Sequence, residues 1–327
     1  MSVAGPAFTA LAYALRRRGV TVLTFHRVLH DKDALRPSEP DGREFERQMG
    51  WLAQAFDVIP LQQAVEALAE GRVPARAACV TFDDGYADNL TVAAPILERL
   101  GLPATIFVVS GVLTEGAMWN DRVIEAVRAA RGRTLDLTAL ALGRHPIGTL
   151  HERAAAIAEL LRRCKARMPE ERNRIVEAIE AETGVRTMRD MLTAVEVGEL
   201  ARRGFEIGAH TCTHPILASI DPARARAEIV DSKRILEAVI GAPVRAFAYP
   251  NGRPGRDYGP EHVAMVRDAG YTVAVSTAPG ASADAAERFE MRRFAPWDGT
   301  RARFYWNLAQ NLARRPVSPL GASRAAA

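Results

Sequence analysis

Four side chains have the types and spacing of a reaction centre: the adjacent Asp83 and Asp84, and His210 and His214, four residues apart. The carboxylates close the hydrophobic run Ala78-Cys79-Val80-Thr81-Phe82 and precede Gly85. Neighbouring residues at a strand end diverge, so one carboxylate can hold an ion while the other faces a water. The plainer reading is a helix cap or an Asx turn, which Asp-Asp-Gly also suits. His210-Thr211-Cys212-Thr213-His214 is more specific. Two imidazoles with small residues between them converge on one ion if the segment is helical or tightly turned. The plainer reading here, capping or surface histidines, is weakened by there being only seven histidines in the chain. Cys212 lies between the two, and its side chain is expected to point away from both. One carboxylate and two imidazoles suit Zn²⁺, Fe²⁺, Co²⁺ or Ni²⁺ better than Mg²⁺ or Ca²⁺. Such an ion pulls the pKa of a bound water toward neutrality. The other carboxylate is then placed to act as general base. A proton donor for the leaving group would complete a hydrolase.

The elements that position these groups alternate in type. Val20 to Phe25 is a β-branched run that reads as a buried strand ending at His26. A polar loop with two prolines fills 31–42. Helical spacing follows from Phe45 to Phe56, a short strand near Val58-Ile59, and a helix from Leu61 to Ala69. Ala78 to Phe82 reads as a strand, Asn89 to Leu100 as a helix stopped by Gly101, and Ala104 to Val109 as a strand. From about Trp119 to Arg189 the chain is rich in Ala, Arg, Glu and Leu, which predicts a helical insertion of about seventy residues without a strand. Thr193 to Arg203 reads as a helix with a capping box made by Thr193 and Glu196. Phe205 to Ala209 is a strand running into His210, Pro222 to Ile240 a long helix, and Ala246 to Tyr249 a strand entering the Pro250-Asn251-Gly252 turn. Residues 260–269 read as a helix, Tyr271 to Ser276 and Glu290 to Phe294 as strands, and Ala302 to Leu312 as a closing helix. About seven strands followed by helices point to a parallel α/β sheet or barrel. His26, Asp83, Asp84, His210, His214 and Asn251 all fall just after strands, where such folds place their sites.

Composition narrows the class. The chain has 327 residues, 48% hydrophobic and 25% charged, an ordinary globular balance. Lys and Arg number 43 against 39 Asp and Glu, a net +4 with no dense basic block, which argues against nucleic acid as a partner. Three scattered cysteines, Cys79, Cys164 and Cys212, give no disulfide framework. Residues 1–19 read as a short amphipathic helical segment. Their apolar stretch precedes Arg16-Arg17-Arg18, the reverse of a secretory signal. No stretch reaches the roughly 20 apolar residues of a spanning helix. The expected location is cytoplasmic, with peripheral membrane association allowed. The expected division is a catalytic domain over 20–314, carrying the insertion at about 116–190, and a disordered tail over 315–327. The sequence leaves the oligomeric state open.

Thr81-Phe82-Asp83-Asp84-Gly85 with His210-x-x-x-His214 resembles the polysaccharide deacetylase family, the NodB-homology or carbohydrate esterase 4 group. The likeness runs from about Val20 to Trp297 apart from the insertion. It implies a distorted (β/α)₇ barrel and metal-dependent removal of acetyl from N-acetylated sugars. Carried over residue by residue, Asp83 resembles the general base, and Asp84, His210 and His214 the metal triad, with Zn the first candidate and Co, Ni or Fe possible. Phe247-Ala248-Tyr249-Pro250-Asn251-Gly252 stands where the family has an R-x-P-[YF]-G-like segment. The turn is kept, so the Asn251 N–H is the oxyanion candidate, beside Tyr249. The base-orienting arginine is lost at Ala248, and Arg292 or Arg293 is the expected replacement. The family's late acid histidine is also missing, since none follows His262. Val22-Leu23-Thr24-Phe25-His26 instead resembles a circularly permuted subset, which makes His26 the candidate acid and His30 a weaker one. A buried, loop-bonded histidine is the plainer reading of His26.

Tyr86 and Asp88 are expected to line the cleft. Trp119, and likewise Trp297-Asp298, offer either a sugar-stacking ring or a packed element start. The leading expectation is hydrolysis of the N-acetyl group of an amino sugar in a poly-, oligo- or lipid-linked saccharide. A sugar N-deformylase or other linear amide hydrolase keeps the same site. A catalytically weak glycan-binding protein is the reading from another class.

Overall fold

The computed structural model describes residues 19–165, 167–185, 189–296, 299–314 and 319–320. The expected N-terminal helical segment up to residue 18, Trp297-Asp298 and nearly all of the expected tail lie outside the described residues.

Strands β1 (Thr21–Phe25) and β3 (Ala77–Phe82) are buried along their whole lengths, as continuous apolar runs of a parallel sheet should be. Helix α1 (Gly42–Ala55) lies between them in sequence. Its N-cap Asp41 accepts from the Glu44 N–H, and Phe45, Met49 and Leu52 face the core. The two-residue β2 (Asp57–Val58) and helix α2 (Leu61–Ala69) complete the connection. A π-helical turn over Asn89–Ala93 then leads into helix α3 (Ala94–Leu100), which left-handed Gly101 ends. Strand β4 (Thr105–Val108) and the short helix α4 (Val112–Glu115) follow.

The stretch expected as an insertion is built from α5 (Trp119–Ala129), α6 (Leu150–Lys165) and α7 (Pro169–Thr183). Contrary to the strandless expectation, it also holds an antiparallel hairpin, β5 (Thr134–Leu137) with β6 (Gly143–Pro146). The hairpin forms because Leu135 and Leu137 point inward on alternate positions and join a cluster with Val123, Val127, Leu160 and Val176. Four residues are too few for that alternation to register in sequence, and β6 carries no β-branched residue.

The alternation then resumes with α8 (Ala194–Arg202), opened by the Thr193/Glu196 capping box, and β7 (Glu206–Ala209). Next come α9 (Pro222–Ile240), β8 (Ala246–Ala248), α10 (Pro260–Asp268), β9 (Val273–Val275), β10 (Arg293–Phe294) and α11 (Arg301–Ala313). The parallel sheet runs β10-β1-β3-β4-β7-β8-β9, with β2 paired beside the start of β3. A parallel bridge from Val275 to Met291, just before β10, brings the two edges together and nearly closes the barrel. Val22, Cys79, Phe107, Ala246, Ala248, Val273 and Val275 fill its interior together with Leu61, Val65 and Leu68 of α2. Residues of opposite parity, such as Leu23, Val80, Ile106 and Phe247, pack under the outer helices. Gly208 keeps the interior passable: a Cβ there would stand 2.4 Å from the Phe107 ring.

Candidate active site

Strand parity decides which groups meet at the mouth of the barrel. Val22 pairs with both Cys79 and Arg293, so Arg293 shares the inward face with Cys79, Thr81 and Asp83. Its guanidinium grips Asp83 through two parallel bonds, Nη1 to Oδ1 at 2.6 Å and Nη2 to Oδ2 at 2.7 Å, and its Nε donates to the Ser276 carbonyl. Burial alone would push the Asp83 carboxyl up. Arg293, with His210 nearby, instead holds it well below the usual carboxylate range.

Asp84 turns the other way. Its φ of 73° is left-handed, and its buried Oδ1 has no hydrogen-bond partner. The Nε2 atoms of His210 and His214 each stand 3.5 Å from that oxygen. His210 Nδ1 lies 2.7 Å from the Ala248 carbonyl, which can only accept, so Nδ1 carries the hydrogen and Nε2 presents a lone pair. Burial and the neighbouring His210 hold the His214 pKa well below its ordinary value, which keeps that imidazole neutral. Burial pushes the Asp84 pKa up. An orphaned carboxylate oxygen facing two imidazole nitrogens is a donor set that could hold a metal ion. Ligands about 2.0–2.1 Å from a tetrahedral ion lie roughly 3.4 Å apart, close to the separations seen here. Among the described residues these three form the group able to hold such an ion.

The histidine loop is held from outside. The buried Glu228 of α9 accepts from the N–H groups of Cys212 and Thr213 at 2.8 and 2.9 Å and from the Thr213 hydroxyl at 2.6 Å. Thr211 Oγ1 accepts from the His214 N–H at 3.1 Å. Cys212 Sγ accepts from the Ser110 hydroxyl at 3.4 Å. Of five described non-glycine residues with left-handed φ, four (Asp84, Thr211, His214 and Asn251) are at the site. Such conformations cost on the order of 1–3 kcal/mol each and persist only where surrounding contacts enforce them.

These groups floor a cavity of about 760 Å³ whose walls include His26, Tyr86, Trp119 and Asn251. His26 is exposed to the cavity. Burial opposes its charged form, but the carboxylates of Asp84, Asp83 and Glu39 prevail and raise its pKa. The Asn89 amide holds the His26 carbonyl at 2.9 Å. The Asn251 N–H meets no protein acceptor among the described residues. Tyr86 donates to Asp121 at 2.7 Å, and Trp119, the first residue of α5, carries the Arg172 guanidinium 4.9 Å over its ring.

Several expected residues lie elsewhere. Tyr249 is fully buried, stacked on Tyr258 at 3.8 Å, with its hydroxyl donating to Phe289. Arg292 falls on the outward parity and pairs with Glu287 at 3.0 Å, so Arg293 is the arginine that reaches Asp83. Asp88 binds Arg27 and the Val28 N–H instead of lining the cavity. His30 is exposed and pairs with Asp31. Sequence reasoning missed Glu228 and Glu39, whose roles arise from contacts across the fold and carry no local pattern.

Residues 70–274 match the family model for polysaccharide deacetylases. YxkH of Bacillus subtilis, a protein named for that family, is 24% identical over 242 residues, 73% of this chain. The match spans 59% of that relative's own length. The deacetylase PplD of Streptococcus pyogenes, solved with acetate, superposes with a TM-score of 0.60 at 19% identity, covering 90% of this chain and 99% of that one. IcaB from Ammonifex degensii gives 0.58 at 19% identity, covering 90% and 96%. At these identities the two structures bear on the fold, and the expected seven-stranded (β/α) barrel is the one found.

Proposed function

The chain belongs to the polysaccharide deacetylase family, and from that premise we propose that it is a metal-dependent hydrolase that removes acetyl from an N-acetylated sugar residue of a saccharide. The observation that carries this reading is the unpartnered Asp84 Oδ1 set between two imidazole nitrogens. Asp84, His210 and His214 would hold the ion, and two nitrogens with one oxygen favour Zn²⁺, then Co²⁺, Ni²⁺ or Fe²⁺. When bound, such an ion supplies Lewis acidity toward a water and the acyl oxygen.

The remaining steps belong to the chain. Asp83, kept ionised by Arg293, takes the proton of the attacking water. The Asn251 N–H, free of protein acceptors among the described residues, donates to the acyl oxygen as negative charge develops on it. His26, whose surrounding carboxylates favour its protonated form, gives a proton to the sugar nitrogen as the carbon–nitrogen bond breaks. The products are acetate and a free amino sugar.

Metal analysis tests the site directly. Purified protein should carry about one transition-metal ion per chain, and His210→Ala should lose it. A variant that retains the wild-type metal content would refute the ligand set.

A further inference from the structure

Part of the cavity wall comes from α5, α6 and the start of α7, and it is not neutral. Ile157, Leu161 and Lys165 of α6 lie four residues apart, so they share one helix face, and all three line the cavity. The row runs from buried Ile157 through partly buried Leu161 to exposed Lys165 at the helix end. Neighbouring arginines are compensated locally: Arg162 and Arg163 share Glu159, and Arg167 pairs with Glu171. Lys165 has no ion-pair or hydrogen-bond partner among the described residues.

Among the described residues the charged groups around it form no ion pair with it. After burial, Arg253 and Arg256 press the Lys165 pKa down, with Asp257 and Asp84 opposing. Asp257 is already engaged by Arg253, through its N–H and Nε at 3.0 Å each. The carboxylates lining the cavity are also committed. Asp83 is held by Arg293, Asp121 by Arg36 and Tyr86, and Glu39 by the Arg27 N–H, while Asp84 belongs to the candidate metal group. A lysine in a last turn also complements the helix dipole, but Arg162 and Arg163 already do so in that turn. What remains is an ammonium facing a concave site with no committed carboxylate of its own, which favours an anion.

We propose that the cleft takes an N-acetylated saccharide bearing an oxyanion, phosphoryl or carboxyl, on the same or the adjoining sugar, and that Lys165 binds that anion. The proposal rests on the deacetylase reading of the same cleft. Acetate release is to be compared among N-acetylglucosamine 1-phosphate, N-acetylmuramic acid and neutral N-acetylglucosamine oligomers. At low salt, the wild-type kcat/KM should favour at least one anionic substrate by about tenfold, as a charge-assisted hydrogen bond allows. The preferred member identifies the anion's source. Lys165→Glu should collapse or invert that ratio, and Lys165→Arg should preserve it. Calorimetric binding of N-acetylglucosamine 1-phosphate and of N-acetylglucosamine to Asp83→Asn protein reads the anion preference without turnover. Preference lost in the Asp83→Asn/Lys165→Glu double variant supports the anion site even if no acetate is released, an outcome that would sink only the deacetylase reading. Wild-type turnover that favours the neutral oligomers, or a ratio indifferent to Lys165→Glu, overturns the anion site and leaves the deacetylase reading standing.

Discussion

At the scale of the residue, the pair Asp83–Arg293 carries the most consequence. A buried carboxylate can serve as base only if something keeps it ionised, and the bidentate guanidinium does so from inside the barrel. Arg293→Lys cannot reproduce two parallel bonds, and its kcat should fall by about 10²-fold or more, with metal content retained. Steady-state kinetics beside metal analysis checks this, and a variant with full activity would remove Arg293 from the account. His26→Ala should lower kcat by about 10²–10⁴-fold, the usual contribution of a positioned acid. The same assay gives the answer, and near-wild-type turnover would dismiss His26 as the acid. The four opening residues were legible because each pair is local in sequence and follows a strand directly. The choice between Arg292 and Arg293 was not legible. It depends on register, and one step along a strand moves a side chain to the opposite face.

At the scale of the element, the His210–His214 loop is shaped by a helix that contributes no ligand. Glu228 of α9 satisfies three donors of the loop. Glu228→Gln should therefore weaken metal affinity by about 10–100-fold, as loss of outer supports of ligands does. Competition with a chromophoric chelator measures it, and unchanged affinity would show that the loop holds itself. A second junction ties the loop after β1 to the insertion. Asp33 accepts from Arg128 and from Arg36, which also binds Asp121 and Glu125 of α5. Burial opposes ionisation of Asp33, but these arginines and the Leu35 N–H lower its pKa to about 2. A carboxylate depressed in the folded state stabilises above its unfolded pKa of about 3.9 and loses that contribution as pH falls through the folded value. Wild type should therefore lose on the order of 1 kcal/mol between about pH 4 and 2 that Asp33→Asn does not lose, the partial exposure having been allowed for. Urea titrations across that range check it, and parallel pH curves would contradict it. Most helices were readable because their caps are local, as at Thr193/Glu196. The β5–β6 hairpin was not, since tertiary packing of Leu135 and Leu137 makes those strands.

At the scale of the whole molecule, the barrel supplies the floor of the site and the insertion supplies a wall. The strand–helix alternation made the barrel legible in sequence. The insertion's position over the cavity was not, because Arg27 and Arg36 join it to the rest through ion pairs with Asp121 and Asp190, residues distant in sequence. Among the described residues no helix is long and apolar enough to cross a membrane. The division of labour at the floor, one carboxylate for the ion and its neighbour for the proton, is the central claim. Acetate release from N-acetylated saccharides by purified protein, stripped by chelator, reloaded with Zn²⁺ and compared with Asp83→Asn, tests it most directly. The account predicts release that stops on stripping, returns on reloading, and is lost in Asp83→Asn although that variant still binds the ion. Acetate release that persists in Asp83→Asn, or in the stripped protein, would contradict it.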